Sequence, residues 1–142
     1  MAENKYIKIT SNTKNLAFVR HFIEENAKNA GISNDMINQI VLSVDEACTN
    51  VIKHTHKYDE SQEIEIENKN STDKFVVILK YKGTEFDPNN KELPNMNDYF
   101  KKYKVGGLGI PLMKKFMDEI EYKHINPDTN VLVLVKNYKV LP

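Results

Sequence analysis

The order of apolar and polar residues divides the chain into a short series of elements. Residues 6–10 alternate, which suits a short strand. Between 13 and 30, Leu16, Val19, Phe22, Ile23, Ala27 and Ala30 recur at helical spacing, and Gly31 is placed to end that helix. Ser33 can cap a second helix with Asp35 in its first turn. This helix gathers Ile37, Ile40, Val41, Val44, Ala47, Cys48 and Val51 on one face and runs on into His54-Thr55-His56. Glu63-Ile64-Glu65-Ile66-Glu67 alternates strictly, as a strand with one wet side does, and 68–73 reads as a polar turn. Phe75-Val76-Val77-Ile78-Leu79 is apolar throughout and suits a central strand.

The regular pattern stops at 82–105, where two prolines and four asparagines break the periodicity; a segment of that length reads as a lid or binding loop. Gly106-Gly107-Leu108-Gly109 then opens onto a short apolar-faced helix with Pro111 in its first turn. Residues 119–124 and 131–135 form a hairpin across Asn126-Pro127-Asp128. The order strand, two helices, two strands, lid, helix, two strands predicts an α+β two-layer sandwich. Its sheet is mixed, largely antiparallel, and covered on one face by helices. With no repeat, low-complexity tract or linker, residues 1–142 read as a single domain.

Composition changes this picture little. Basic and acidic residues number 20 each, so no global field argues for direct nucleic-acid or membrane binding. No apolar run approaches the roughly 20 residues of a membrane span, and no signal peptide is visible at the N-terminus. A lone cysteine, Cys48, points to a reducing cytoplasm. Nineteen of the basic residues are lysine, which leaves Arg20 as the single planar, bidentate donor of the chain. From composition alone, a lysine-biased genome explains that better than a dedicated carboxylate or phosphate site does.

The glycine turn leaves backbone N–H groups unpaired at the positive end of a helix, an arrangement that suits a phosphate. A second site lies on the second helix. Glu46 and Asn50 are one turn apart and share a face with Gln39 and Ser43, opposite Val44, Cys48 and Val51. The plain reading of that face is the solvated side of an amphipathic helix. The chemical reading takes the Asn50 amide oxygen as a hard ligand for Mg²⁺ and Glu46 as a general base. His54 and His56, two apart on a helix, diverge and make no metal pair, and no serine sits in a nucleophile elbow.

Taken in order, these strings resemble a family. They are Val44-Asp45-Glu46-Ala47-Cys48-Thr49-Asn50, Gly83-Thr84-Glu85-Phe86-Asp87-Pro88, the lid, Gly106-Gly107-Leu108-Gly109 and Phe116-Met117-Asp118-Glu119-Ile120-Glu121-Tyr122. The chain is similar to GHKL-superfamily ATPase domains over residues 5–137, and among them to bacterial anti-sigma-factor serine/threonine-protein kinases. The resemblance implies ATP and Mg²⁺ as cofactors. It implies Glu46 as the base that activates an acceptor serine, and Asn50 as the Mg²⁺ ligand. Lys53, Tyr81, Gly83, Lys104, Gly106, Gly107, Leu108, Gly109 and Thr129 would line the nucleotide, with Thr129 near the adenine. Arg20 falls where family members contact a protein. The implied partners are a sigma factor and a STAS-domain antagonist that is phosphorylated on serine. Family members form homodimers, but no dimer face is legible in these residues.

One element departs from the family. Its adenine reader is an Asp two residues before a Gly; here the aligned residues are Tyr81-Lys82-Gly83. Losing such a carboxylate-to-amine bond costs about 1.5–3 kcal/mol, or roughly one to two decades in affinity. Glu85 adds a negative charge close to where phosphates would sit. Two functions therefore follow: an ATP-dependent anti-sigma kinase, or a regulator of the same fold that holds its partners with little or no nucleotide. A signalling histidine kinase is set aside, because no dimerising helix with a phospho-acceptor His precedes the domain.

Overall fold

The computed structural model describes residues 4–83 and 109–139. The chain starts with β1 (Asn4–Thr10) and a single 3₁₀ turn (Thr13–Asn15) entered through Asn12, whose side chain accepts from the Lys14 amide. Helix α1 (Leu16–Asn29) follows, burying Leu16, Val19, Ile23 and Ala27 as the periodicity predicts. Gly31 ends it in the left-handed region at φ 80°. The Ile32 amide reaches back to Ala27 O and the Gly31 amide to Lys28 O, which satisfies the last carbonyls of the helix. Ser33 caps α2 (Asn34–Asn50) by accepting from the Met36 amide.

Beyond Asn50 the helix continues as a π-helix (Val51–Thr55), and the His56 amide donates to Val51 O at 2.8 Å. Such insertions are uncommon and concentrate at functional sites. Lys57 and Tyr58 follow with φ of 50° and 64°, both unusual without glycine, and the Tyr58 amide is tied to Ile52 O at 2.8 Å.

The remaining elements are β2 (Glu63–Asn70), β3 (Lys74–Lys82), α3 (Gly109–Phe116), β4 (Glu119–Asn126) and β5 (Thr129–Asn137). The five strands form one sheet in the order β1-β2-β3-β5-β4. Every pairing among the described strands is antiparallel, which narrows the expected mixed sheet. The two-helix excursion between β1 and β2 returns the chain in the opposite direction, and tight turns join β2 to β3 and β4 to β5.

Alternate residues face the helices. Register places Ile9, Ile64, Tyr81, Asn130 and His124 in one cross-strand row, and Ile7, Ile66, Leu79, Leu132 and Tyr122 in the next. Ile64, Ile66, Leu79 and Leu134 are fully buried in that face. Helix α2 packs on both α1 and α3, so it forms the middle of the helix layer.

Two boundaries differ from the sequence reading. Strand β2 runs through Asn68, Lys69 and Asn70, which the composition assigns to a turn. Asn68 is fully buried in the helix-facing series; its Nδ2 donates to Val76 O at 2.9 Å and to Asn70 Oδ1 at 2.8 Å, while its Oδ1 is buried without a partner among the described residues. Strand β3 extends three residues past the apolar run and thereby takes in Tyr81.

Helix α3 is anchored at its end by β5. Lys136 is almost wholly buried, and its ammonium donates to the Phe116 carbonyl, at the negative end of the helix dipole. The Asp118 amide donates to Val135 O at 2.8 Å, and Asp118 Oδ2 accepts from the Asn137 amide at 2.6 Å.

Candidate nucleotide and partner site

Two groups of predicted residues are placed by different elements. The first lies on α2 and its π continuation. Glu46 and Asn50 are half-buried one turn apart, and Lys53 is exposed. Neither Glu46 nor Asn50 is committed to a hydrogen bond or ion pair among the described residues, so the carboxylate and the amide oxygen are both available. Their face is not a uniformly wet one. Ser43, expected beside them, is fully buried and donates to Gln39 O at 2.8 Å. The sequence reading of Ser43 is corrected here: α3 packs on α2, so that helix is covered on more than one side.

Arg20 projects from α1 toward the same region. Its Nη1 donates to Asp45 Oδ1 at 2.6 Å, with side-chain exposures of 45% and 25%. Asp45 is thus a site residue that the motif alone did not single out. Its only sequence signal was its place immediately before Glu46, and its partner lies 25 residues away.

The second group meets at one corner of the sheet. Tyr81, Gly83 and Thr129 come together where the end of β3 lies beside the start of β5, with Lys82 opposite Thr129. The Gly83 amide donates to Asp128 O at 2.8 Å, and Gly83 O accepts from Asn130 Nδ2 at 3.2 Å. Asn130 Oδ1 in turn accepts from the Tyr122 hydroxyl and, at 2.7 Å, from His124 Nδ1. Thr129 is buried, and its hydroxyl donates to Asp128 Oδ1 at 3.1 Å.

The end of the π-helix closes over this corner. A Cβ added at Gly83 would stand 2.6 Å from Thr55 Cγ2. His56 is 6% exposed and meets the Tyr81 ring edge to face, with centroids 6.1 Å apart. Its Nε2 lies 2.7 Å from Lys82 O. A carbonyl only accepts, so Nε2 carries a proton, and in the neutral ring Nδ1 accepts from the Ser11 hydroxyl. His56 therefore ties β1, the π-helix and β3 together. Sequence reasoning missed it, because its partners are 45 and 26 residues distant and nothing local marks a histidine as buried.

A cleft of 340 Å³ adjoins this corner, lined by Thr55, His56, Asp59, Gln62, Lys82, Gly83 and Asp128. The Ser61 hydroxyl and amide hold the Asp59 carboxyl below the usual carboxylate range.

Several predicted residues lie outside the described residues: Lys104, Gly106, Gly107, Leu108, Glu85 and the rest of the lid. Of the glycine turn, Gly109 is described as the first residue of α3, which puts Pro111 in the first turn. Among the described residues, no helix is long and apolar enough to cross a membrane.

Known proteins settle the class to which this arrangement belongs. The chain belongs to the histidine kinase-like ATPase domain family, whose pattern matches residues 9–136. Its relatives narrow the comparison. The chain is 28% identical to the serine-protein kinase RsbW of Bacillus subtilis over 83% of its own length and 76% of the relative's. It is 29% identical to the RsbW of Bacillus licheniformis over 94% and 85%, and 30% identical to that of Listeria monocytogenes over 79% and 72%.

Proposed function

We propose that this chain is an anti-sigma regulator of the serine-protein-kinase type, acting as one domain over residues 1–142 in the cytoplasm. Its partners on this reading are a sigma factor and a STAS-domain antagonist that competes for the same surface. The observation that carries the reading is the pair Glu46 and Asn50: one turn apart, half-buried and uncommitted among the described residues, on a helix that leads into the Tyr81–Gly83–Thr129 corner. The relatives named as serine-protein kinases support it.

The two ends of the site fit Mg·ATP differently. At the phosphate end the donor set fits. A neutral amide oxygen and a carboxylate, neither with a partner among the described residues, suit an oxygen-seeking cation and a proton acceptor. Asn50 would hold Mg²⁺, and Lys53 lies close enough in sequence to add positive charge to the same end. Bound Mg·ATP supplies the transferable phosphoryl group. Glu46 would orient the acceptor serine hydroxyl and take its proton. At the base end the fit is poor, because Tyr81 is buried and offers an aromatic ring where an amine would need an acceptor.

That poor fit favours a second reading, in which the chain regulates its partners by binding alone. One experiment separates the two. The chain is incubated with γ-labelled ATP, Mg²⁺ and the STAS-domain proteins encoded in the same genome, beside Glu46→Gln. Label on a serine with the native chain, and none with Glu46→Gln, supports the kinase. Absence of transfer with sigma-factor capture intact selects the binding-only regulator. Transfer undiminished in Glu46→Gln would remove Glu46 from its role.

A further inference from the structure

We propose that Tyr81 and His56 plug the base end of the site, so that the chain takes a nucleoside triphosphate without reading its base. The inference rests on the phosphoryl-transfer reading above and deepens it.

Tyr81 stands in the helix-facing row between Ile64 and Asn130 and is 3% exposed. Its ring fills space between the sheet and the end of the π-helix, where His56 packs edge-on against it. His56 cannot swing aside freely. One ring nitrogen is engaged by Lys82 O and the other by Ser11, so a swing of the ring would break both bonds. A ring held from two sides in turn holds its neighbour.

The polar groups around the plug are already committed. Both backbone groups of Gly83 are used, by Asp128 O and by Asn130 Nδ2. The Asn130 amide oxygen accepts from two side chains. Thr55 lies so close to Gly83 that a single methyl group at Gly83 would collide with it. Among the described residues, the two carboxylates of the adjoining cleft, Asp59 and Asp128, already accept from the Ser61 and Thr129 hydroxyls, and the Tyr81 ring takes the space at the strand end itself. Sites that hydrogen-bond a substrate group discriminate by factors of about 10⁴–10⁵, whereas shape and stacking alone discriminate weakly. A site with its base end closed should hold the triphosphate and leave the base in solvent.

The test uses calorimetry on the full chain with Mg·ATP, Mg·GTP and Mg·tripolyphosphate. Affinities within about threefold of one another are expected. ATP tighter than tripolyphosphate by more than that overturns the plug. In Tyr81→Ala, the base end opens, and ATP should gain at least about tenfold over tripolyphosphate. An unchanged ratio in that variant, with its melting curve showing it folded, also overturns the proposal. If Tyr81→Ala does not fold, His56→Gln takes its place, with the same expected gain. Should the native chain bind none of the three probes, the phosphoryl-transfer reading fails by itself. The plug then stands if Tyr81→Ala acquires ATP binding and falls if it does not.

Discussion

Arg20 donates to Asp45 across the α1–α2 interface at 2.6 Å, which fixes the single guanidinium of the chain beside the residue preceding Glu46. The contact joins α1 to the helix that carries the candidate base. It also leaves most of the donor capacity of Arg20 unspent, since a guanidinium has five N–H groups.

The Arg20→Ala variant should lose partner capture while staying folded. The ion pair is largely solvated, so its removal should change stability by less than about 1 kcal/mol. Sigma-factor capture should weaken at least about tenfold, the loss expected for a charge-assisted contact. Titration of a labelled sigma factor against both proteins checks this, and equal affinity discards the partner role.

Gly83 is required by its surroundings, because an added Cβ would meet Thr55 Cγ2 at 2.6 Å. Gly83→Ala should therefore destabilise the chain by about 1–3 kcal/mol, as overpacking does. The clash is with a methyl group, so Thr55→Ser in the same chain should restore most of the loss. A double-mutant cycle by urea denaturation measures the coupling. Purely additive effects would mean that the two residues do not meet.

Lys136 should matter for α3 more than its chemistry suggests. Lys136→Met keeps most of the apolar stem but leaves the Phe116 carbonyl without its cation. A loss of about 1–3 kcal/mol is expected, the cost of an unsatisfied buried acceptor. Hydrogen exchange at the Met117 amide, which is bonded to Met113 O at 2.9 Å, should accelerate with it. Unchanged exchange and unchanged stability would show that β5 does not hold the helix end.

Cys48 gives the chain an alkaline limit. Burial, with a smaller contribution from the Asp45 charge, pushes its thiol well above the ordinary value. A raised native pKa means that the stabilisation is complete below the unfolded value of about 8.5 and declines as pH rises past it. The unfolded chain then releases a proton that the native chain retains, and the slope approaches about 1.4 kcal/mol per pH unit. Urea melts at pH 7, 9 and 10 should show this slope reduced in Cys48→Ala. Parallel slopes in the two proteins would assign the alkaline decline to other groups.

The sequence by itself determined most of the framework. Periodicity placed α1 and α2 because each buries an apolar stripe at helical spacing, and Gly31 and Ser33 marked their ends because left-handed backbone and an exposed amide need those residues. Strict alternation in Glu63-Ile64-Glu65-Ile66-Glu67 fixed a strand with one wet face. The Glu46–Asn50 pair was legible too, since helical spacing alone puts the two on one face.

What the tertiary structure decided was which side chains meet across distance. No local pattern joins Arg20 to Asp45, or Ser11 and Lys82 to His56, because those contacts depend on how α1 packs on α2 and how β1, the π-helix and β3 converge. Packing of α3 on α2 accompanies the burial of Ser43, which spacing had placed on a solvated face, and strand pairing gave the buried Asn68 Nδ2 an acceptor in Val76 O. That convergence also turned Tyr81 from a departure in a motif into a packed ring against His56. Local propensity sets the elements, but a site is made where elements from distant parts of the chain share one volume, and only packing specifies that.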